Sequence, residues 1–442
     1  MDENELMGSM KVSKAVAKMA IPSVISSLVT VVYNMADTFF VGQTGDPLQV
    51  AAVSLTNPIF ILFMAFANMF GMGGSAAASM ALGEKKEKRV KQVSSFITYA
   101  SLVVGIVFAV ILLVGMQPVL QLFGADADTY ELAKGYTTYI SYGAPFIIWS
   151  AAASFVVRAD GASREAMTGS MIGTVANIIL DPIFISGFGM GAAGAAIATT
   201  IGNIMASVYY LWYFCRKSRN MSMAFRYFKC GDKILSQICS AGLPTAIFSA
   251  LMSISTIILN QILVAYGNAP VAAIGIVFKA NMFITFLQMG LANGVQPLLG
   301  YSYGAGNRER FIAVERYTKK CCLIVGVLAT ALFFFFREPI IRLFISDTEV
   351  INYGVEMLIA YMISGPVIGI LFMNMNCMQS TGNALPATIL SILRQGVLLI
   401  PVLYGLNALL GLHGVIYGQA LTDYVAVLLS IVIWRWKRRK TL

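Results

Sequence analysis

Two acids stand where a lipid-spanning helix tolerates them poorly: Asp37 and Asp181, each near the outer end of a long apolar run. A carboxylate at the centre of a membrane helix costs roughly 2.5–3.5 kcal/mol on insertion scales, so such a group faces a polar cavity and has a task there. Asp37 lies about five residues, roughly 8 Å at 1.5 Å per residue, inside an end near Gly42. Asp181 lies about six residues inside a second run that ends near Gly187, and Thr199 about eight residues into the next run. The three side chains can share one layer. Helical spacing adds Tyr33, one turn before Asp37, Asn34, three residues before it, and Asn177, one turn before Asp181. Carboxylates, an amide carbonyl and a hydroxyl suit a hard cation such as Na+, because oxygen dipoles replace its water shell. The same acids, desolvated side by side, could carry a proton instead. The structural alternative is an acid pinning a helix break, since Pro182 follows Asp181.

The elements that must position these residues follow from composition. The 442-residue chain is 58% hydrophobic and 12% charged, with a mean hydropathy of +0.75, which leaves far too much apolar surface for a soluble globular protein. The expected fold is all-α and polytopic. Apolar runs long enough to span predict helices at 15–41, 51–82, 93–123, 132–157, 163–187 and 191–215, then at 236–265, 271–304, 319–345, 351–380, 385–408 and 412–434. Most of the 31 Lys and Arg lie in the N-terminus, the stretches 85–91, 158–164, 216–233 and 308–320, and the tail 435–440. Threading twelve spans puts all of these on one face, which is then cytoplasmic together with both termini, in a multi-pass protein of the cell's inner (plasma) membrane. The net charge of +10 is thus topology and not a nucleic-acid interface. The first apolar run is too long for a cleaved signal peptide and is expected to remain.

Sliding the chain against itself by about 221 residues brings landmarks into register. Gly73 falls on Gly294, Pro118 on Pro339, Pro145 on Pro366 and Gly161 on Gly382. The expectation is a first lobe at 1–216 with the cation site, a linker at 217–235 and a second lobe at 236–442. With six helices each, the lobes would be related by a pseudo-two-fold axis along the membrane normal, with the substrate path between them. The acids are not repeated: Asp37 falls near Ile258 and Leu259, and Asp181 near 400–402.

Other polar groups fill out the reading. In the second lobe Gln288, Asn374 and Gln395 are candidates to face a substrate cavity, and the 24 Met with 27 Phe and 19 Tyr could line an adaptable one. Lys279 and Arg394, each about two turns into a span, are expected to have gating or structural roles. Arg158 and Asp160, at a cytoplasmic turn, are expected to lock that end as an ion pair. The six cysteines, Cys230 among them, show no disulfide or metal spacing, and no phosphate-binding Gly-Lys motif or Ser/His arrangement appears. The chain does not read as an enzyme, no cofactor is implied, and no metal beyond Na+.

At this point the residues resemble a known family. Val32-Tyr33-Asn34-Met35-Ala36-Asp37-Thr38-Phe39-Phe40-Val41-Gly42, the Arg158-Ala159-Asp160-Gly161 turn, Asn177-Ile178-Ile179-Leu180-Asp181-Pro182 and Gln296-Pro297-Leu298-Leu299-Gly300-Tyr301-Ser302-Tyr303-Gly304-Ala305 look like the multidrug and toxin extrusion (MATE) family. Within it the chain is similar to the bacterial DinF- and MepA-like branch. The resemblance implies a V-shaped pair of lobes with a central cavity, and a first-lobe ion site at Asp37, Asn177, Asp181 and Thr199, with Tyr33 and Tyr139 as polar neighbours. The sister branch carries an acid in the seventh span, where this chain has Asn260 and Gln261. The implied activity is export of lipophilic, often cationic compounds against inward Na+ or H+, by a chain that works among membrane lipids as a monomer without a protein partner. Two rivals stand beside it: a flippase for lipid-linked oligosaccharide or peptidoglycan precursors, which would want a basic cavity, and a non-transporting receptor or assembly factor, which would want a soluble domain or long loop.

Overall fold

The computed structural model describes residues 3–229, 231, 233–382 and 384–441, so Cys230 lies outside the described residues. The spans are α1 (Val12–Gly42), α2 (Pro47–Gly83), α3 (Glu87–Val114), α4 (Tyr130–Ala159), α5 (Ser163–Pro182), α6 (Gly191–Trp212), α7 (Ile234–Val264), α8 (Asn268–Gly304), α9 (Arg308–Phe335), α10 (Thr348–Ile363), α11 (Gly365–Ser380), α12 (Leu385–Ile392), α13 (Leu399–Leu410) and α14 (Leu412–Thr441). A π-turn, Ile183–Gly187, extends α5, and another, Leu393–Leu398, joins α12 to α13. Among the described residues eleven helical segments are long and apolar enough to cross a membrane, and α10 with α11, bent by 45°, makes a twelfth. In a bilayer this is the economical solution, because each helix satisfies its own backbone.

Two spans sit earlier than the apolar pattern implies. The third starts at Glu87 instead of 93 and ends at Val114, and the ninth starts at Arg308 instead of 319 and ends at Phe335. Lys, Arg and Glu are good helix formers, so each helix continues out of the lipid through its charged stretch. The outer remainder becomes separate short helices, Met116–Leu122 and Arg337–Arg342.

The chain divides into two compact units, one running Val29–Gly242 and the other joining Met7–Leu28 to residues from Leu243 onward. The first holds a core of Phe70, Ile97, Trp149, Tyr210, Tyr213 and Ile238; the second packs Leu259, Ile274, Met357, Tyr361, Leu399 and Val415. Lipid tails are as apolar as leucine, so helices here associate through close contact at small residues. The repeat is visible in those contacts. A Cβ on Gly105 of α3 would fall on Pro145 of α4, and one on Gly326 of α9 would fall on Gly365 and Pro366 of α11. Likewise Gly73 of α2 lies against Ile238 and Gly242 at the start of α7, and Gly294 of α8 lies against Ala20 and Ser23 at the start of α1. The halves then diverge: α4 runs on through Pro145, whereas the second unit breaks at Ser364. There the Gln288 amide donates to the Gly365 carbonyl (3.3 Å) and to that of Cys322 (3.0 Å).

Candidate functional site

The site forms in the first unit because α5 and α6 approach at backbone distance. α6 opens Gly-Ala-Ala-Gly-Ala-Ala, and a Cβ on Gly202 would collide with the Gly173 carbonyl of α5. That proximity lets Asn177 reach across to Thr199. Its amide is oriented with the oxygen toward Thr199 Oγ1 (3.1 Å) and the Thr199 N–H (2.8 Å), and with the nitrogen donating to Asp181 Oδ2 (2.9 Å). The opposite orientation would set donor against donor. Asn203 Nδ2 donates to the Thr199 carbonyl (2.8 Å) and its oxygen accepts from Ser150 of α4 (2.9 Å), which steadies α6 from behind. α1 joins through Tyr33, whose hydroxyl lies 3.3 Å from Thr199 Oγ1.

Asp181 is 0% exposed, and its Oδ1 has no hydrogen-bond partner. It is the penultimate residue of α5, followed by Pro182 and the π-turn Ile183–Gly187, a widening of the helix that often marks working sites. Asp37, partly buried on α1, interacts electrostatically with Asp181, and Tyr33 and Tyr136 feel both charges. No salt bridge reaches either acid among the described residues. No group of three or more His, Cys, Asp and Glu gathers among them either; carboxylate, amide and hydroxyl oxygens are the donor types that suit a proton or a hard monovalent cation.

The other expected residues fall into place less uniformly. Asn34 donates to the carbonyl of Thr30 on its own helix (2.9 Å). Tyr139 is 36% exposed, and what it supplies is its carbonyl, which accepts from Thr200 (3.0 Å). The α4 tyrosine that interacts electrostatically with both acids is Tyr136, one turn earlier. Depth could have found it: Tyr136 lies about six residues, roughly 9 Å, inside the outer end of α4, level with Asp37 and Asp181. Gln288 and Asn374 are fully buried as interhelical ties, the latter donating to Ser430 (2.8 Å). Gln395 is buried with its carbonyl accepting from Ser255. Lys279 is exposed and has no ion pair among the described residues. Arg394 pairs with Asp423 of α14 at 2.8 Å, an intramembrane acid that the sequence reading passed over.

Arg158 and Asp160 do not pair with each other. Residues two apart on a helix end point to different sides. Asp160 caps α4 and turns its carboxylate to Tyr213 (2.8 Å), Ser218 (2.6 Å) and Asn220 (2.9 Å), while Arg158 lies over the Phe155 ring at 5.2 Å. Burial holds the Asp160 carboxyl above its ordinary value, and those three donors oppose the shift.

The MatE family model matches residues 22–183 and 244–404, one copy in each half. The chain belongs to the MATE family. This MATE chain is 32% identical over 422 residues to the multidrug export protein MepA of Staphylococcus saprophyticus, covering 96% of itself and 93% of that protein, and equally so to MepA of Staphylococcus aureus. Its fold is similar to a crystal structure of MATE in the straight conformation, with a TM-score of 0.94 at 25% identity over 99% of this chain and 98% of that one. A multidrug resistance MATE transporter in an outward-facing conformation matches with a TM-score of 0.92 at 25% identity, covering 100% and 99%. Members of the MATE family are membrane transporters and not enzymes, and they need no cofactor.

Proposed function

We propose that this chain is a secondary active multidrug exporter that exchanges lipophilic, often cationic compounds for inward Na+ or H+ by alternating access of its two lobes. What carries the reading is the pair Asp37 and Asp181 without a protein counter-charge among the described residues, the latter with a buried carboxylate oxygen left unpartnered. Two carboxylates that interact electrostatically, one fully and one partly buried, call for a positive charge that is not part of the fold. The relatives named as multidrug export proteins support the drug side of the exchange.

The coupling proposed runs through α1. An arriving cation at Asp181 and Asp37 draws the Asp37 segment toward α5 and α6, to which Tyr33 already ties it through Thr199. α1 begins in the other unit, and in the coupling proposed a shift of its outer segment is passed along the helix. A drug that binds better to the cation-free arrangement is then expelled as the cation binds, since differential affinity for two states is what couples two ligands. Both termini are read as cytoplasmic and the chain as a monomer of the plasma membrane.

The test is efflux of a fluorescent lipophilic cation from proteoliposomes under imposed Na+ or H+ gradients. Gradient-driven efflux that disappears in Asp37→Asn and Asp181→Asn supports the exchange and names the ion. Efflux against a gradient that persists in either variant would sink the coupling scheme.

A further inference from the structure

The segment after α6, expected as a linker, is bound along the second to fourth turns of α3. Ser94 Oγ donates to the Ser222 carbonyl (2.9 Å) and accepts its N–H (3.0 Å). Ser95 donates to the Ala224 carbonyl (3.1 Å) and Tyr99 to that of Met223 (3.0 Å). A single 3-10 turn, Phe225–Tyr227, follows. Phe228 stacks on Phe96 (centroids 6.0 Å, 7° apart) and Phe225 on Phe228 (5.6 Å, 12°), with Tyr99 edge-on to both.

This strap has a vertical order. The stretch 95–114 of α3 carries no charge, and at about 1.5 Å per residue its twenty residues match a hydrocarbon layer of roughly 30 Å. Bare lipid-facing side chains begin at Val103, one turn beyond Tyr99. Phe225, 69% exposed, packs at the level of Tyr99 and so sits at the hydrocarbon boundary. Lys91 lies two turns lower, about 12 Å, at the level of headgroups. Its ammonium is 5.9 Å from the Tyr227 ring, and the Arg226 guanidinium is 4.9 Å from the same ring. The ion pairs described in this unit, Glu84–Lys86, Glu131–Lys134 and Glu165–Lys217, involve neither cation.

An exposed phenyl ring at the acyl boundary, with two cations below it that make no ion pair among the described residues, fits an amphiphile with an anionic head. We propose that the strap and the first turns of α3 form a binding site for the phosphodiester headgroup of an anionic phospholipid in the adjoining leaflet. Lys91 and Arg226 hold the phosphate, and Phe225 packs on the acyl chains. The proposal stands on the first unit alone and does not depend on which ion drives transport.

Native mass spectrometry of the full chain released from nanodiscs of equal phosphatidylglycerol and phosphatidylcholine tests it. Wild type should retain phosphatidylglycerol preferentially, and Lys91→Gln and Arg226→Gln should each lower that preference about fivefold, the equivalent of one basic contact with an anionic surface. Arg435→Gln, in the C-terminal tail, should leave it unchanged. An unchanged preference in both strap variants, an equal fall in Arg435→Gln, or loss of the preference on adding millimolar inorganic phosphate would each overturn the proposal. A second readout does not rely on those variants folding: Phe225→Trp should add indole fluorescence that phosphatidylglycerol with brominated chains quenches, and added emission immune to quenching would also overturn it.

Discussion

Asp181 in the first lobe and Asp423 in the second are both hidden, at 0% and 3% exposure, yet they keep opposite company. Asp423 receives Arg394 Nε at 2.8 Å and Gln419 Nε2 at 2.9 Å, and the guanidinium is flanked by Phe248 and Phe372 at 5.2 and 5.8 Å. Glu315, also buried, has Lys319 at 2.6 Å, Trp434 Nε1 at 2.7 Å and Arg438 at 3.4 Å. Asp181 has a neutral amide on one oxygen and nothing on the other. The two halves share a scaffold and differ in whether the chain itself supplies a charge to these buried acids. In the second lobe the chain supplies it, so the acids can hold helices together. In the first the chain supplies none to Asp181 or Asp37 among the described residues, and on the function proposed above a mobile cation would.

Removing charge on each side should therefore have different consequences. The largest effect is expected on transport from Asp181→Asn, which removes the demand for a cation: gradient-driven efflux should fall about 100-fold or more, within the range of a full coupling energy, while thermal stability holds or rises. Residual coupled efflux near the wild-type rate would erase the contrast between the lobes. Next is Arg394→Leu, which strands Asp423 and should destabilise by about 3–5 kcal/mol, whereas Arg394→Leu with Asp423→Leu should recover most of that loss. Denaturation in detergent with a proteoliposome assay reads both. A stable double variant that has lost ion coupling would show that the second lobe also takes part in ion movement.

Smaller effects sharpen the comparison within the first lobe. Gly202→Val pushes α6 off Gly173 and should cost about 1–3 kcal/mol as overpacking, with loss of cation-induced stabilisation in a thermal-shift titration because Asn177 no longer reaches Thr199. The smallest difference is between two tyrosines one turn apart. Tyr136→Phe should weaken cation-driven efflux about 3- to 10-fold, what its hydroxyl would contribute if the loaded site engages it with one hydrogen bond, and Tyr139→Phe should leave it within about twofold of wild type. The reverse order would return the site to the residue that the family resemblance indicated.

The acid layer was legible because depth along a helix is a count of residues, and a count needs no coordinates. Asp37, Asp181 and Thr199 follow from it, Asn177 follows from helical spacing to Asp181, and Tyr136 lies at the same depth. Asp423 could also have been noticed as an acid inside an apolar run, but its neutralisation by Arg394 spans 29 positions and two helices. The pairing expected of Arg158 and Asp160 failed for a related reason. Proximity in sequence says little about where a helix cap turns its carboxylate.

By itself the sequence determined the membrane-spanning all-α class, the duplication, the MATE resemblance and the height of the acids, because hydropathy, periodicity and spacing are properties of the chain read in one dimension. Tertiary structure decided which acids are compensated, that Asn177 bridges Asp181 to Thr199, and that the stretch 218–228 is a strap on α3 and not a free connector. Those outcomes depend on how closely two helices approach and which way each is rotated. In this fold that is set by glycines such as Gly173 and Gly202, whose effect is felt only once the partner helix is in place.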